Sequence, residues 1–161
     1  MARRLRHVEL GFIDTAPVRL VHSAGLSAAP AVVYRALAED VPGWTEWFDA
    51  VSTAVPTRGG AGRDIRLRIG AFFSETILAT DPGERYAYRV DTTNVPGLRA
   101  LLEDWRITPA PDGGSRVRWT FAADGSPVTR AVVRFAGPGL GVSFRGAMRE
   151  LDRRIGDSAA R

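Results

Sequence analysis

The sequence predicts an α+β domain: a curved, seven-stranded antiparallel sheet wrapped around a long C-terminal helix, with two short helices after the first strand. Three observations lead there. From Ser52 to Ala123 apolar and polar residues alternate between regularly spaced turn signals, the pattern of an antiparallel meander. Near the C-terminus Phe144, Ala147, Met148, Leu151 and Ile155 recur at helical spacing, so one face of a helix there must be covered. At 161 residues the chain has the size of one domain and can bury about two-thirds of the surface its unfolded form exposes.

Residues 1–16 form a basic extension interrupted by Glu9 and Asp14, without an apolar run of signal-peptide length, and no role follows from them. The domain proper spans residues 17–158. It opens with a strand over residues 18–26. Ser27-Ala-Ala-Pro30 then starts a helix, with Pro30 where a backbone N–H would have no helical partner. Val33, Ala36 and Leu37 keep helical spacing until Pro42-Gly43 stops it, and Trp44, Trp47 and Phe48 share one face of a second short helix. These aromatics either flank a pocket entrance or fill the core.

Turn signals at residues 58–62, 70–71, 81–84, 94–97 and 109–114 leave strands near 52–57, 63–69, 72–80, 85–92, 101–108 and 115–123. The remainder is helical, and Gly137-Pro-Gly-Leu-Gly141 predicts a break that leaves 128–136 as a preliminary helical segment.

Because side chains alternate along a strand, the turns also assign faces. Pairing Thr80 with Arg85 puts Phe73, Glu75, Ile77 and Ala79 on one face with Tyr86, Tyr88 and Val90. Pairing Ile107 with Val117 puts Leu101, Glu103, Trp105 and Ile107 with Val117, Trp119 and Phe121. The opposite face alternates Arg with Asp and Thr, as a solvated surface with cross-strand ion pairs does. On the apolar face Glu75 and Glu103 flank a strand that carries Tyr88, and acids are rarely buried without partners. Glu75, Glu103 and Tyr88 are therefore the candidates for acid–base work. The alternatives are that Glu75 pairs with an Arg at a sheet edge, or that a bulge turns one Glu outward.

Composition excludes several classes of function. No cysteine is present, so disulfides, thiolate metal sites and cysteine nucleophiles drop out. His7 and His22 stand at no ligand-like spacing, no glycine cluster follows a strand as a phosphate-binding loop does, and no cofactor is indicated. All 22 basic residues are Arg, a mark of codon bias in a GC-rich genome; they are interleaved with 18 acids, which argues against a nucleic-acid surface. No segment is long and apolar enough to span a bilayer, so no integral membrane association is expected, and a cytoplasmic address fits.

Taken in order, Ser27-Ala-Ala-Pro30-Ala-Val-Val-Tyr34, Trp44-Thr-Glu-Trp47-Phe48, Glu75-Thr-Ile77 before Asp81-Pro82, Tyr86-Ala-Tyr88-Arg-Val90, Trp105-Arg-Ile-Thr-Pro109 and Gly113 to Phe121 resemble the SRPBCC superfamily, also called START-like or helix-grip, in its polyketide cyclase/dehydrase branch. That resemblance implies a cavity between sheet and last helix that holds a hydrophobic small molecule, lipid or polyketide-like. It implies no single chemistry, since relatives include cyclases, carriers and chaperone co-activators. The expected lining is Phe73, Glu75, Ile77, Tyr86, Tyr88, Glu103, Trp105, Trp119, Phe144, Met148 and Leu151. The competing readings are a polyketide cyclase or dehydratase using a pocket Glu or Tyr as general acid–base, and a cavity-poor protein-interaction module.

Overall fold

The computed structural model describes residues 1–159. Its elements are β1 (Arg3–Arg4), α1 (Phe12–Thr15), β2 (Val18–Leu26), α2 (Pro30–Tyr34), α3 (Trp44–Trp47), β3 (Val51–Thr57), β4 (Gly62–Leu67), β5 (Phe72–Asp81), β6 (Arg85–Thr93), β7 (Leu98–Pro109), β8 (Ser115–Gly125) and α4 (Pro127–Ala159). Seven strands run in the order β2-β8-β7-β6-β5-β4-β3, every neighbour antiparallel. The chain passes from β2 on one edge to β3 on the other, and α2, a π-helical turn at Arg35–Glu39 and α3 make that crossing. α4 packs on β2, β8 and α3, so the sheet grips it.

The expected break in the last helix does not occur: α4 runs unbroken for 33 residues, with Pro138 inside it. The glycines around Pro138 serve packing instead. A methyl group on Gly141 would stand 2.9 Å from the His22 ring, and one on Gly137 would stand 3.3 Å from Leu20. Residues without a Cβ let the helix backbone approach β2 at these two points.

An eighth strand and a use for the N-terminal extension are the second departure. Beyond Arg89↔Leu102 the β6–β7 ladder ends, and the first residues enter the gap, with β1 opposite Thr92 and Thr93. The Leu5 N–H donates to Asp91 and the Arg6 N–H to Arg99, each at 2.8 Å. Leu5 points inward against Val90 and Leu101. Val8, Phe12 and Ile13 cover Ala100, Leu102 and Ala122 on the outer face. Arg6–Asp124 at 3.0 Å and Arg89–Glu9 at 2.8 Å fasten the segment at its margins. The remaining outer face is ionic as expected, with Arg85 on Asp104 at 2.7 Å.

The main core lies between the concave face and α4. Trp105, Trp119 and Phe144 stack with centroids 5.4 to 5.8 Å apart, and Trp44, Trp47 and Phe48 close over them. Each such aromatic contributes ~1.5–3 kcal/mol by its burial.

Candidate functional site

The side chains of interest are set by register. In the β7–β8 hairpin Ile107 faces Val117, Trp105 faces Trp119 and Glu103 faces Phe121, as parity predicts. The β5–β6 turn is one residue tighter than expected, because Asp81 and not Thr80 stands opposite Arg85. A bulge at Leu78 then restores the phase, giving Ile77↔Tyr88 and Glu75↔Val90. Ala79 is the residue this displaces: it pairs with Ala87 and leaves the inner face, while Glu75 and Ile77 stay on it.

Glu75 does pair with an arginine, but inside the fold and not at an exposed edge. Arg63 on β4 stands opposite Glu75 in the register, and its Nε donates to Glu75 Oε2 at 2.5 Å. Both are enclosed, with residue exposures of 1% and 3%. The guanidinium lies 4.0 Å from the Tyr88 ring centre and 4.1 Å from that of Trp44, a cation between two π faces. Its Nη1 has no hydrogen-bond partner among the described residues.

Glu103 is held by a different set. Tyr88 Oη donates to Glu103 Oε2 at 2.7 Å, Trp119 Nε1 donates to the same oxygen at 2.8 Å, and Trp105 Nε1 donates to Tyr88 Oη at 2.9 Å. The Tyr88 hydroxyl thus has its proton and an acceptor site committed to protein partners. Both hydrogen bonds to Glu103 fall on Oε2, which leaves Oε1 as the open oxygen. Protein surrounds Glu103, and what surface it keeps faces the adjoining void.

Burial pushes the Glu75 carboxyl up to about 7, with Arg63 opposing the rise and Glu103 adding to it. Burial also raises Glu103, against the pull of the Tyr88 hydrogen bond and Arg63. Tyr88 is held well above the ordinary phenol value by burial and then by Glu103. Burial works against the charge on Arg63, but Glu75 and the two tyrosines outweigh it and hold the guanidinium protonated. One cation therefore faces two carboxyls, and near neutrality the pair of carboxyls retains a proton.

These groups form one wall of a cavity of about 190 Å³. Phe48, Ile65, Phe73, Trp119 and Phe121 make its apolar walls, and Leu67, Leu140 and Ser143 lie where α4 meets the β4–β5 end of the sheet. A larger groove of about 580 Å³ runs between α2 and the end of α4, but it is a surface feature whose Arg35, Asp40 and Glu46 are exposed. The smaller cavity, between sheet and α4, holds the unusual chemistry. Of the residues that sequence reasoning named, Phe73, Glu75, Tyr88, Glu103 and Trp119 stand on its wall. Ile77, Tyr86, Trp105, Phe144, Met148 and Leu151 are packed in the core beside it and do not border the void. Trp44 caps Arg63 and borders the cavity, whereas Trp47 is core. Arg63 was missed, although it keeps phase with Ile65 and Leu67 on β4, the signal that turns it inward.

Among the described residues no group of three His, Cys, Asp or Glu side chains is placed to hold a metal ion, and no helix is long and apolar enough to cross a membrane.

A sheet wrapped on a long helix around an internal cavity is the architecture of the START-like, or SRPBCC, proteins. Within them the chain belongs to the family described as polyketide cyclase / dehydrase and lipid transport, whose model matches residues 17–156. A search of curated protein sequences gives no match. Among solved structures it is similar to XoxI from Bacillus cereus, with a TM-score of 0.72 and 16% identity over 88% of this chain and 98% of that one. A START superfamily protein from Mycobacterium smegmatis matches with a TM-score of 0.64 and 8% identity over 83% and 98%. DynU16, from the dynemicin biosynthetic locus, matches with a TM-score of 0.61 and 18% identity over 85% of this chain and 46% of that one. At these identities the likeness is one of fold.

Proposed function

We propose that this protein binds a compact, uncharged, largely apolar molecule carrying a carbonyl or similar acceptor oxygen, in the cavity between the sheet and α4. The observation that carries this reading is the Arg63 guanidinium, a cation on the cavity wall whose one hydrogen bond among the described residues runs from Nε to Glu75. A buried donor without an acceptor is costly, and an incoming oxygen would relieve it. Size narrows the class further. A cavity of about 150 Å³ is known to admit benzene, so 190 Å³ accommodates a single ring with a short substituent, about seven to ten non-hydrogen atoms. A longer lipid or polyketide would seat one end there and leave the rest at the Leu67–Leu140 seam. Charge narrows it again, because one guanidinium faces two carboxyls that retain a proton between them, so no uncompensated cation is left to meet an anionic ligand.

The test compares acetophenone with ethylbenzene, which differs chiefly by lacking the oxygen. Binding is read from the fluorescence of Trp44 and Trp119 in the wall. Acetophenone should bind at least about tenfold more tightly, and Arg63→Met should erase the difference, since one hydrogen bond to a charged donor corresponds to about that factor. Equal binding of the two, or binding of neither, sinks the reading.

A second reading is a cyclase or dehydratase in which a pocket carboxyl transfers a proton at an enol or aldol carbon. It is favoured by one specific observation, a Glu75 carboxyl raised to about 7, which retains a proton near neutrality. Glu103 offers its open Oε1 as the partner base. Tyr88 fits less well, its proton being committed to Glu103. In an enzyme Glu103→Gln would keep ligand binding and lose turnover; parallel loss of both would leave only the binding role.

A further inference from the structure

The side of α4 turned away from the sheet is not polar. Val128, Val132, Phe135 and Val142 are 73, 60, 87 and 60% exposed. Their spacing sets them on one stripe with Gly139, roughly 21 Å long at 1.5 Å per residue. The helix already buries Gly137, Gly141, Phe144, Ala147, Met148 and Leu151 on its other side. An exposed apolar stripe of this length on a helix that already buries its other side ordinarily marks a contact surface.

Charge says what covers it. From Gly125 to Arg149 the chain contains no Asp or Glu, only Arg130, Arg134, Arg145 and Arg149. Close to the lower end of the stripe is the β4–β5 hairpin tip, where Ile69 is 88% exposed. Its neighbour Arg68 lines one groove with Ser143 and Gly146 of α4. Two acids of that groove are paired, Glu46 with Arg154 at 2.8 Å and Glu150 with Arg153 at 2.5 Å, and the exposed Asp49 carboxylate lies 3.7 Å from Arg68. Ser143 also borders the cavity, with Leu67 and Leu140, so the exposed apolar side chains flank the seam between α4 and the hairpin.

We propose that this stripe and the Ile69 tip seat the protein on an anionic lipid surface, with the cavity seam turned toward the bilayer. An apolar stripe backed by arginine, on a length of helix that carries no carboxylate, is what an interfacial helix needs. A second copy fits the stripe poorly, because each would bring the same four arginines and no acid to meet them. A folded protein partner fits less well too, since Phe135 and the valines protrude from a convex helix and form no recess. The assignment does not depend on which molecule the cavity takes.

Vesicle flotation tests it, using phosphatidylcholine alone and phosphatidylcholine with about one-third phosphatidylglycerol, at about 0.05 and about 0.5 M NaCl. Binding to the anionic vesicles at low salt should exceed binding to the neutral ones by about tenfold or more and should fall at high salt. Phe135→Asp and Ile69→Asp should each abolish it with an unchanged melting temperature, both side chains being solvent-exposed. Acetophenone binding in solution should be unaffected by either, which separates this proposal from the cavity reading. Absence of preference for anionic vesicles, or an unaltered Phe135→Asp variant, overturns it. So does a sedimentation-detected dimer that Phe135→Asp dissociates, which would give the stripe to a second copy.

Discussion

Replacing Glu75 with Gln removes the charge from a buried ion pair, and it should nevertheless stabilise the protein in alkaline solution. The inner face holds one guanidinium, Arg63, against the carboxyls of Glu75 and Glu103. Burial raises the Glu75 carboxyl from its ordinary 4.5 to about 7, so between those values the folded state holds a proton that the unfolded chain has released. The stabilisation from that proton is complete below about 4.5 and is lost as pH rises through about 7. A difference of that size corresponds to about 3 kcal/mol. Gln copies the protonated acid in shape: its carbonyl can accept from Arg63 Nε as Oε2 does at 2.5 Å, and it never ionises. Arg63 is not left uncompensated, because its field already acts on Glu103. Urea denaturation at about pH 5 and about pH 8 measures the effect. At the lower pH the variant should lie within ~1 kcal/mol of the parent; at the higher it should be more stable by ~2–3 kcal/mol. Taking the difference cancels slopes from groups that both proteins share. A variant less stable than the parent at the higher pH, or one with the parent's slope, would refute the count of one cation against two carboxyls.

Other substitutions probe neighbouring parts of the same account. Arg63→Met strands both carboxyls without their cation and should cost ~3–5 kcal/mol in urea denaturation at about pH 8, with a smaller cost at about pH 5, where protonation relieves them. Gly141→Ala puts a methyl 2.9 Å from the His22 ring and should cost ~1–3 kcal/mol. Gly146→Ala on the same helix meets nothing within 4 Å and should gain ~0.5–1 kcal/mol, so opposite signs in thermal melts test whether the glycines serve packing. Deleting residues 2–16 bares Ala100, Leu102 and Ala122 on the outer face and should lower the melting temperature and raise binding of a hydrophobic dye.

The fold was legible because its signals are local and repeat. Turn residues bracket each strand, alternation fixes the β7–β8 pairing down to Ile107↔Val117, and the α4 stripe can face only one layer. The inward placement of Glu75 came through for a less secure reason. A turn one residue shorter than its sequence suggests shifts the phase, and the bulge at Leu78 shifts it back. Arg63 was legible in principle, in step with Ile65 and Leu67, but an arginine on an apolar phase reads as an exception until its carboxylate partner is located. The N-terminal segment was not legible. Its partners are Ala100, Leu102 and Ala122, a few apolar residues scattered on a face whose other members are Arg, Asp and Thr, and the segment itself pairs over only two residues of strand. The glycines at Pro138 misled because close packing and helix termination use the same residue.

Where the cavity sits follows from side-chain volume, which no single stretch of sequence displays. On the side of β6, β7, β8 and α4 the indoles of Trp105 and Trp119 and the ring of Phe144 stack without a gap, so that half of the concavity is solid. Toward β3, β4 and β5 the helix presents Leu140 and Ser143, β3 presents Val51, and the void remains. The polar groups stand along the boundary between the two halves, and they divide into committed and free. Trp105 Nε1, Trp119 Nε1, Tyr88 Oη and Arg63 Nε are each engaged with protein, and these bonds hold Glu103 Oε2 and Glu75 Oε2 in place. Among the described residues the terminal nitrogens of Arg63 make no hydrogen bond, and Glu103 Oε1 is left open. A ligand therefore meets a guanidinium and one oxygen of a carboxyl, both rigidly supported, in a largely apolar chamber. Rigid support matters because a site built to hydrogen-bond an oxygen rejects the analogue that lacks it far more strongly than an apolar chamber distinguishes one methylene from none. Selectivity at this site should thus depend on the ligand's oxygen more than on its hydrocarbon outline, and that is the distinction the acetophenone and ethylbenzene pair measures.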